Sequence, residues 1–254
     1  MPSFARFIRT GAAALCAAML TFSAAQAETP VYNVGATTTG IPFTFLNVET
    51  NQIQGVMVDI AKAIGQKSGF EVGVQQTVFS ALIPSLTSGK IDIISAAMLK
   101  TAEREKVVSF SDPVYRYGAG LIVKADDNGT YVTLDDLKGE IVGAQVGTVF
   151  IDIMTKMGVF KEVRSYDSIG DMVRDLSLGR IKAGVGDQPI VAYQIKQGTF
   201  KGVKLSPSFQ PVNVGEVCLI TRKDDRAMQE KLNKGIAAIK ADGTLDGIIA
   251  KWGL

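Results

Sequence analysis

The sequence predicts an α/β protein built as two lobes, each a mainly parallel sheet flanked by helices. Three observations carry this. Apolar strand-like runs alternate with amphipathic helical runs from about residue 30 onward, the pattern of parallel strands joined by crossover helices. One phrase occurs twice: Leu86-Thr-Ser-Gly-Lys-Ile-Asp-Ile-Ile-Ser95 and Leu176-Ser-Leu-Gly-Arg-Ile-Lys-Ala-Gly-Val185 both run from a helix end through a capping glycine and a basic residue into a strand. Two glycine-containing apolar runs, 117–124 and 211–220, follow the first and second copies and are themselves strand-like. Two lobes of similar plan explain the repeat economically, although any chain of βαβ units can repeat such a phrase.

The elements follow in order. Residues 1–27 place Arg6 and Arg9 before an apolar run at 11–22 and finish in Ala25-Gln-Ala27, the layout of a secretory signal cleaved after Ala27. The apolar run is short of the roughly 20 residues a bilayer span needs. Leu15, not a small residue, precedes Cys16, so a lipoprotein anchor is not expected. Residues 31–36 read as a strand and 37–42 as a polar loop. Val58, Ala61 and Ile64 share one helical face, stopped by Gly69. A helix is expected over 79–86 with Gly89 at its end, then a buried strand at 91–95. Thr101 can cap a short helix carrying Arg104. After Arg226, the residues Met228, Leu232, Ile236 and Ile239 line a long helix that Gly243 ends, and a last turn carries Leu245, Ile248, Ile249 and Trp252.

Composition excludes several chemistries. The 254 residues contain no histidine, which removes Ser-His-Asp hydrolysis, Cys-His proteolysis and His-ligated zinc or haem. Two cysteines cannot build a cysteine metal cluster, and no metal or cofactor is expected. Loss of the signal removes two basic residues and Cys16, leaving 25 basic against 25 acidic residues. That balance gives no reason to expect nucleic acid as a partner. Cys218, set among Val217, Leu219 and Ile220, reads as an inert core thiol.

Six segments, taken together and in order, resemble a known family: Gly40-Ile-Pro-Phe43, Gly55-Val-Met-Val-Asp-Ile-Ala61, Phe79-Ser-Ala-Leu-Ile-Pro-Ser-Leu-Thr-Ser-Gly-Lys-Ile-Asp92, Thr101-Ala-Glu-Arg104, Phe110-Ser-Asp-Pro113 and Lys251-Trp-Gly253. They look like the family 3 solute-binding proteins, the periplasmic amino-acid receptors of ATP-driven importers. The resemblance implies the periplasmic binding protein fold. Its first lobe would combine 28–120 with the return segment 216–254, its second lobe would be 121–215, and two hinge strands would join them. It also implies a periplasmic monomer that holds a small molecule between the lobes and passes it to a membrane permease.

A zwitterionic amino acid needs a cation for its carboxylate and an anion for its ammonium. Arg104, near a helix start, has the planar fork that suits a carboxylate, and the matching family arginine grips the α-carboxylate. A surface ion pair with Glu103 or Glu105 is the competing reading. Asp187 follows Ala183-Gly-Val-Gly186, at the strand end where α/β ligand sites lie; the matching family aspartate takes the α-ammonium. Its alternative is a helix N-cap. By the same resemblance Gly147, Thr148 and Gln145, within Gly143-Ala-Gln-Val-Gly-Thr148, join the site. Phe79 would stack on the ligand, or else sit in the core.

The chain also departs from the family pattern. Gly40 stands where an aromatic is common. Ala97 and Leu99 replace hydroxyl residues, so only their backbone amides remain as donors. No acid occurs in Thr37-Thr38-Thr39, where receptors for basic amino acids carry one, so the expectation leans toward other α-amino acids or derivatives such as opine- or ectoine-like solutes. The enzyme alternative is a cyclohexadienyl dehydratase, which shares this architecture. It needs a spare carboxylic acid as general acid, and none is visible once Asp187 is assigned. A non-enzyme is therefore expected. A sensory ligand-binding module would use the same site.

Overall fold

The computed structural model describes residues 28–254, and the expected secretory signal lies outside the described residues. Strand β1 (Val31–Ala36) leads into a small antiparallel ribbon of β2 (Thr39–Gly40), β3 (Thr44–Asn47) and β4 (Gln52–Gln54). Helix α1 (Val56–Ser68) buries Val56, Met57, Ile60, Ala61 and Ile64, and Gly69 closes it at φ 72°, a left-handed angle that costs a glycine little. Strand β5 (Glu71–Gln76) follows. The helix expected over 79–86 is divided into a 3-10 turn (Phe79–Ala81) and α2 (Leu82–Thr87). Pro84, which has no N–H to give, sits in the first turn of α2, where none is required. Then come β6 (Ile93–Ile94), α3 (Ala102–Glu105) and β7 (Val108–Phe110).

The chain crosses to the second lobe along β8 (Tyr115–Tyr117) and enters it as β9 (Ala119–Lys124). A 3-10 turn (Leu134–Leu137) precedes β10 (Ile141–Gln145), α4 (Val149–Met157), β11 (Glu162–Tyr166), α5 (Ile169–Ser177), β12 (Ala183–Asp187), α6 (Gln188–Lys196) and β13 (Val203–Leu205). It returns through β14 (Gly215–Val217), which pairs antiparallel with β8, into β15 (Ile220–Arg222), α7 (Arg226–Ala241) and α8 (Thr244–Lys251). The final turn read from the sequence is thus a two-turn helix.

Two five-stranded sheets result, in the orders β5-β1-β6-β15-β7 and β11-β10-β12-β9-β13. Three strands of each run parallel. Alternation across β6 shows how the first sheet is covered on both faces. Ile93 packs into the core that holds α1 and α7, while Ile94 turns to the other face with Leu82, Leu86, Phe110, Cys218 and Ile220. Helices α1 and α7 approach closely at Gly235: a Cβ there would stand 2.6 Å from both Ile64 Cγ2 and Ser68 Oγ. Cys218 is buried as expected, and burial pushes its thiol up to about 12. The fold is therefore two α/β lobes joined by paired strands.

Candidate functional site

In each lobe the parallel strands end at a common edge, and those edges carry the candidate residues. β1 ends in the loop of Thr37 and Gly40, β5 leads to Phe79, and β6 leads to Ala97 and Leu99. In the second lobe β10 ends at Gln145 and β12 at Asp187. Ligand sites of open α/β sheets lie beyond such ends.

Arg104 stands in α3, a helix too short to persist unaided. Its N-cap Thr101 holds it, the threonine oxygen accepting the Arg104 amide at 3.2 Å. The guanidinium is half-buried. Nη1 donates to the Leu99 carbonyl at 2.5 Å and Nη2 to the Gly147 carbonyl at 2.9 Å, the second bond crossing from one lobe to the other. Two of its five N–H donors are thereby engaged, leaving three. The ring of Phe79 lies 5.9 Å from Arg104 Cζ, close enough for a cation–π contact. Phe79 is half-buried and also packs against the core beneath α2, so both of its readings hold geometrically. Glu103 pairs with Lys106 and Glu105 with Lys100 instead of with Arg104.

The second-lobe residues are equally constrained. Gly147 has φ 79°, and a Cβ on it would stand 3.0 Å from Ser80 Cα of the first lobe. Only a residue without a side chain fits that turn and that approach together. Thr148 occupies the N-cap of α4, yet its hydroxyl donates back to the Gln145 carbonyl at 2.7 Å and caps no helix amide. Gln145 is fixed by donating Nε2 to the Asp167 carbonyl at 2.9 Å. Asp187 sits at the N-cap position of α6 without a side-chain capping bond, so its carboxyl is left for another partner.

Asp187 as a whole is 8% exposed. Burial is the main influence on it and pushes it up to about 6, while the Tyr117 hydroxyl and the Arg104 charge pull the other way. Burial also lowers Arg104, against which the nearby Tyr117, Asp187 and Asp152 act. Ala97 and Leu99 are present at the edge through their carbonyls: Leu99 accepts Arg104, and Ala97, at φ 54°, accepts the Tyr117 hydroxyl at 2.8 Å. Tyr117 and Ser80 are the residues that sequence reasoning missed. Ser80 lies inside the Phe79–Asp92 segment and Tyr117 shortly after the Phe110–Pro113 segment, and their place depends on how the chain folds.

A family model described as bacterial extracellular solute-binding proteins, family 3, matches residues 32–254. ABC transporter arginine-binding protein 1 of Escherichia coli (strain K12) is 36% identical over 236 residues, covering 92% of this chain and 95% of that protein. An ancestral arginine-binding protein bound to arginine is similar at 35% identity and TM-score 0.79, covering 88% of this chain and 98% of that one. An ancestral amino acid-binding protein described as a precursor of cyclohexadienyl dehydratase matches at 29% identity and TM-score 0.77, with 87% and 95% covered.

Proposed function

This chain is a member of the bacterial extracellular solute-binding proteins, family 3, and from that membership we propose that it captures an α-amino acid between its lobes and delivers it to the permease of an ABC importer. One observation carries the site assignment. A half-buried cation of the first lobe, Arg104, reaches the second lobe through its 2.9 Å bond to the Gly147 carbonyl, and that lobe carries the buried carboxyl of Asp187 at the end of β12. A ligand bearing both charges satisfies both groups at once. Its carboxylate takes the unused donors of Arg104, with the amides around Gly147 and Thr148 adding partial positive charge. Its ammonium gives the buried Asp187 a directly paired countercharge. Gln145 orders the second-lobe loop, Phe79 supplies an aromatic wall, and Ala97 and Leu99 shape the first-lobe edge. The lobes divide near residues 120 and 215, beside the paired strands β8 and β14, and the ligand favours closure because its contacts to both lobes exist only there.

The similarity to arginine-binding proteins makes L-arginine the first compound to try. The local chemistry argues for breadth, because Thr37 is hydrogen-bonded to Thr44 at 2.6 Å and no acid stands in that loop. The protein works as a monomer in the periplasm after removal of residues 1–27. It is not an enzyme. A carboxyl raised to about 6 would also suit a general acid, so the test must read turnover as well as binding. Thermal-shift screening of amino acids, opines and compatible solutes is expected to find a ligand that mass spectrometry recovers unchanged after overnight incubation. Prephenate and arogenate are expected to give no phenylpyruvate or phenylalanine above background. Turnover lost in Asp187→Asn would replace this reading with a dehydratase.

A further inference from the structure

We propose that Ile190 is a specificity-determining residue of the site: from the first turn of α6 it crosses to the bare backbone of Gly40 in β2 and closes the side-chain end of the cleft, so that the protein selects α-amino acids with short, uncharged side chains. The inference rests on Arg104 and Asp187 holding the two charges of an amino acid, as argued above.

The contact joins the lobes at a defined point. A Cβ on Gly40 would stand 3.6 Å from Ile190 Cδ1 and 3.5 Å from both Thr37 Oγ1 and the Thr44 carbonyl oxygen. Ile190 thus reaches the edge of the first lobe, and it is 4% exposed. Its helix is held from behind. The Gln188 amide donates to the Gly118 carbonyl at 3.1 Å, and Pro189 stiffens the first turn. β9 meets that turn at Gly120, where a Cβ would stand 3.3 Å from Gln188 Cα. The approach of Ser80 to Gly147 closes one flank of the cleft, and the contact of Gly40 with Ile190 closes another.

The room left for a ligand side chain follows from the helix. Asp187 is the N-cap of α6 and Ile190 its third residue, positions whose side chains lie side by side in a capping box. A ligand whose ammonium meets Asp187 therefore has Ile190 within about one helical turn, roughly 5 Å. Its carboxylate is directed to Arg104 and its flank to the ring of Phe79, so its side chain runs to the Thr37–Gly40 loop. That end offers no charge. The Thr37 and Thr44 hydroxyls, both buried, bond to each other at 2.6 Å, and residues 37–42 contain no ionisable side chain. A longer side chain has to displace Ile190 from its packing, and a charged tip would stand unpaired.

Two variants act on this spot from opposite lobes. Ile190→Val removes only Cδ1. Gly40→Ala adds one methyl, at ordinary contact distance from its neighbours and on a backbone outside the left-handed region, so the fold accepts it. The probes are L-alanine, L-2-aminobutyrate, L-norvaline, L-norleucine and L-arginine, each measured by calorimetry. Wild-type affinity is expected to fall by at least about tenfold at one step of the neutral series, the effect of one misplaced methylene in an apolar pocket. L-Arginine is expected to bind more weakly than L-norvaline. Ile190→Val is expected to move the fall one step toward longer side chains, and Gly40→Ala one step toward shorter ones. A length limit that stays in place in both variants, or an equal change for all five compounds, marks a merely structural contact and overturns the proposal. So does wild-type protein that holds L-arginine as tightly as L-norvaline. Arg104→Ala and Asp187→Asn separate this outcome from the reading beneath it. If they lose the series while the length limit ignores Ile190 and Gly40, the role of Ile190 alone is removed. If they bind the series as wild type does, or if wild type binds none of the five, the amino-acid clamp fails and Ile190 falls with it.

Discussion

Asp187 shows what a single residue costs a binding protein. Its carboxyl is raised from 3.8 to about 6 by burial. Between those pH values the native chain keeps a proton that the unfolded chain has lost, so stability rises as pH falls through about 6 and is lost as pH climbs back. The handicap at neutral pH is on the order of 3 kcal/mol. Asp187→Asn is accordingly expected to raise the calorimetric unfolding temperature of the ligand-free protein at pH 7.5 and not at pH 4, while weakening amino-acid binding strongly. Equal unfolding temperatures for the two proteins at pH 7.5 would refute the burial argument. Arg104→Ala is expected to leave the fold intact and to weaken binding by about 2–5 kcal/mol, roughly 30- to several-thousand-fold, because the ligand carboxylate would lose its partner. Isothermal calorimetry within threefold of wild type would remove Arg104 from the site. Arg104 and Asp187 were legible in the sequence because charge type and position beside a helix start or strand end belong to one stretch of chain. Tyr117 was not. Its hydroxyl donates to the carbonyl of Ala97, 20 residues away, which only folding brings near.

The elements divide by the range of the forces that define them. Helices α1 and α7 were readable because their apolar spacing is a property of one segment, and the capping threonine of α3 lies three residues from the amide it holds. The break between the Phe79 turn and α2 was less readable. So was the length of β6, whose named ladder covers Ile93 and Ile94 although Asp92 and Ser95 also donate to β1 carbonyls. The division of 117–124 between β8 and β9 follows from pairing with partners far along the chain, β14 in one case and β12 in the other. The turn between β10 and α4 yields a prediction at this scale. Gly147→Ala must place a side chain at φ 79° and 3.0 Å from Ser80 Cα. The strain costs about 1–2 kcal/mol in either state, but the clash exists only when the lobes meet. Ligand affinity is therefore expected to fall further than stability. Chemical denaturation and calorimetry on the same sample separate the two, and equal losses would show that Ser80 and Gly147 do not approach in the bound protein.

At the scale of the whole molecule, two lobes held by β8 and β14 can change their angle without disturbing either sheet. Small-angle scattering is expected to give a smaller radius of gyration when the ligand identified by screening is added, and dialysis is expected to reverse it. A radius indifferent to saturating ligand would mean that capture occurs without hinge motion. The sheet order β5-β1-β6-β15-β7 has a further consequence, for biosynthesis. Strands β9 to β13 of the second sheet are contiguous in the chain, so a nascent polypeptide possesses all of them once about residue 205 has left the ribosome. The first sheet begins to emerge earlier and must wait longer. Its interior strand β15, lodged between β6 and β7, is made only at Ile220–Arg222, and α7, which covers that sheet, comes later still. The lobe translated first is thus the lobe completed last, and until the chain nears its end β6 and β7 have no strand between them to join.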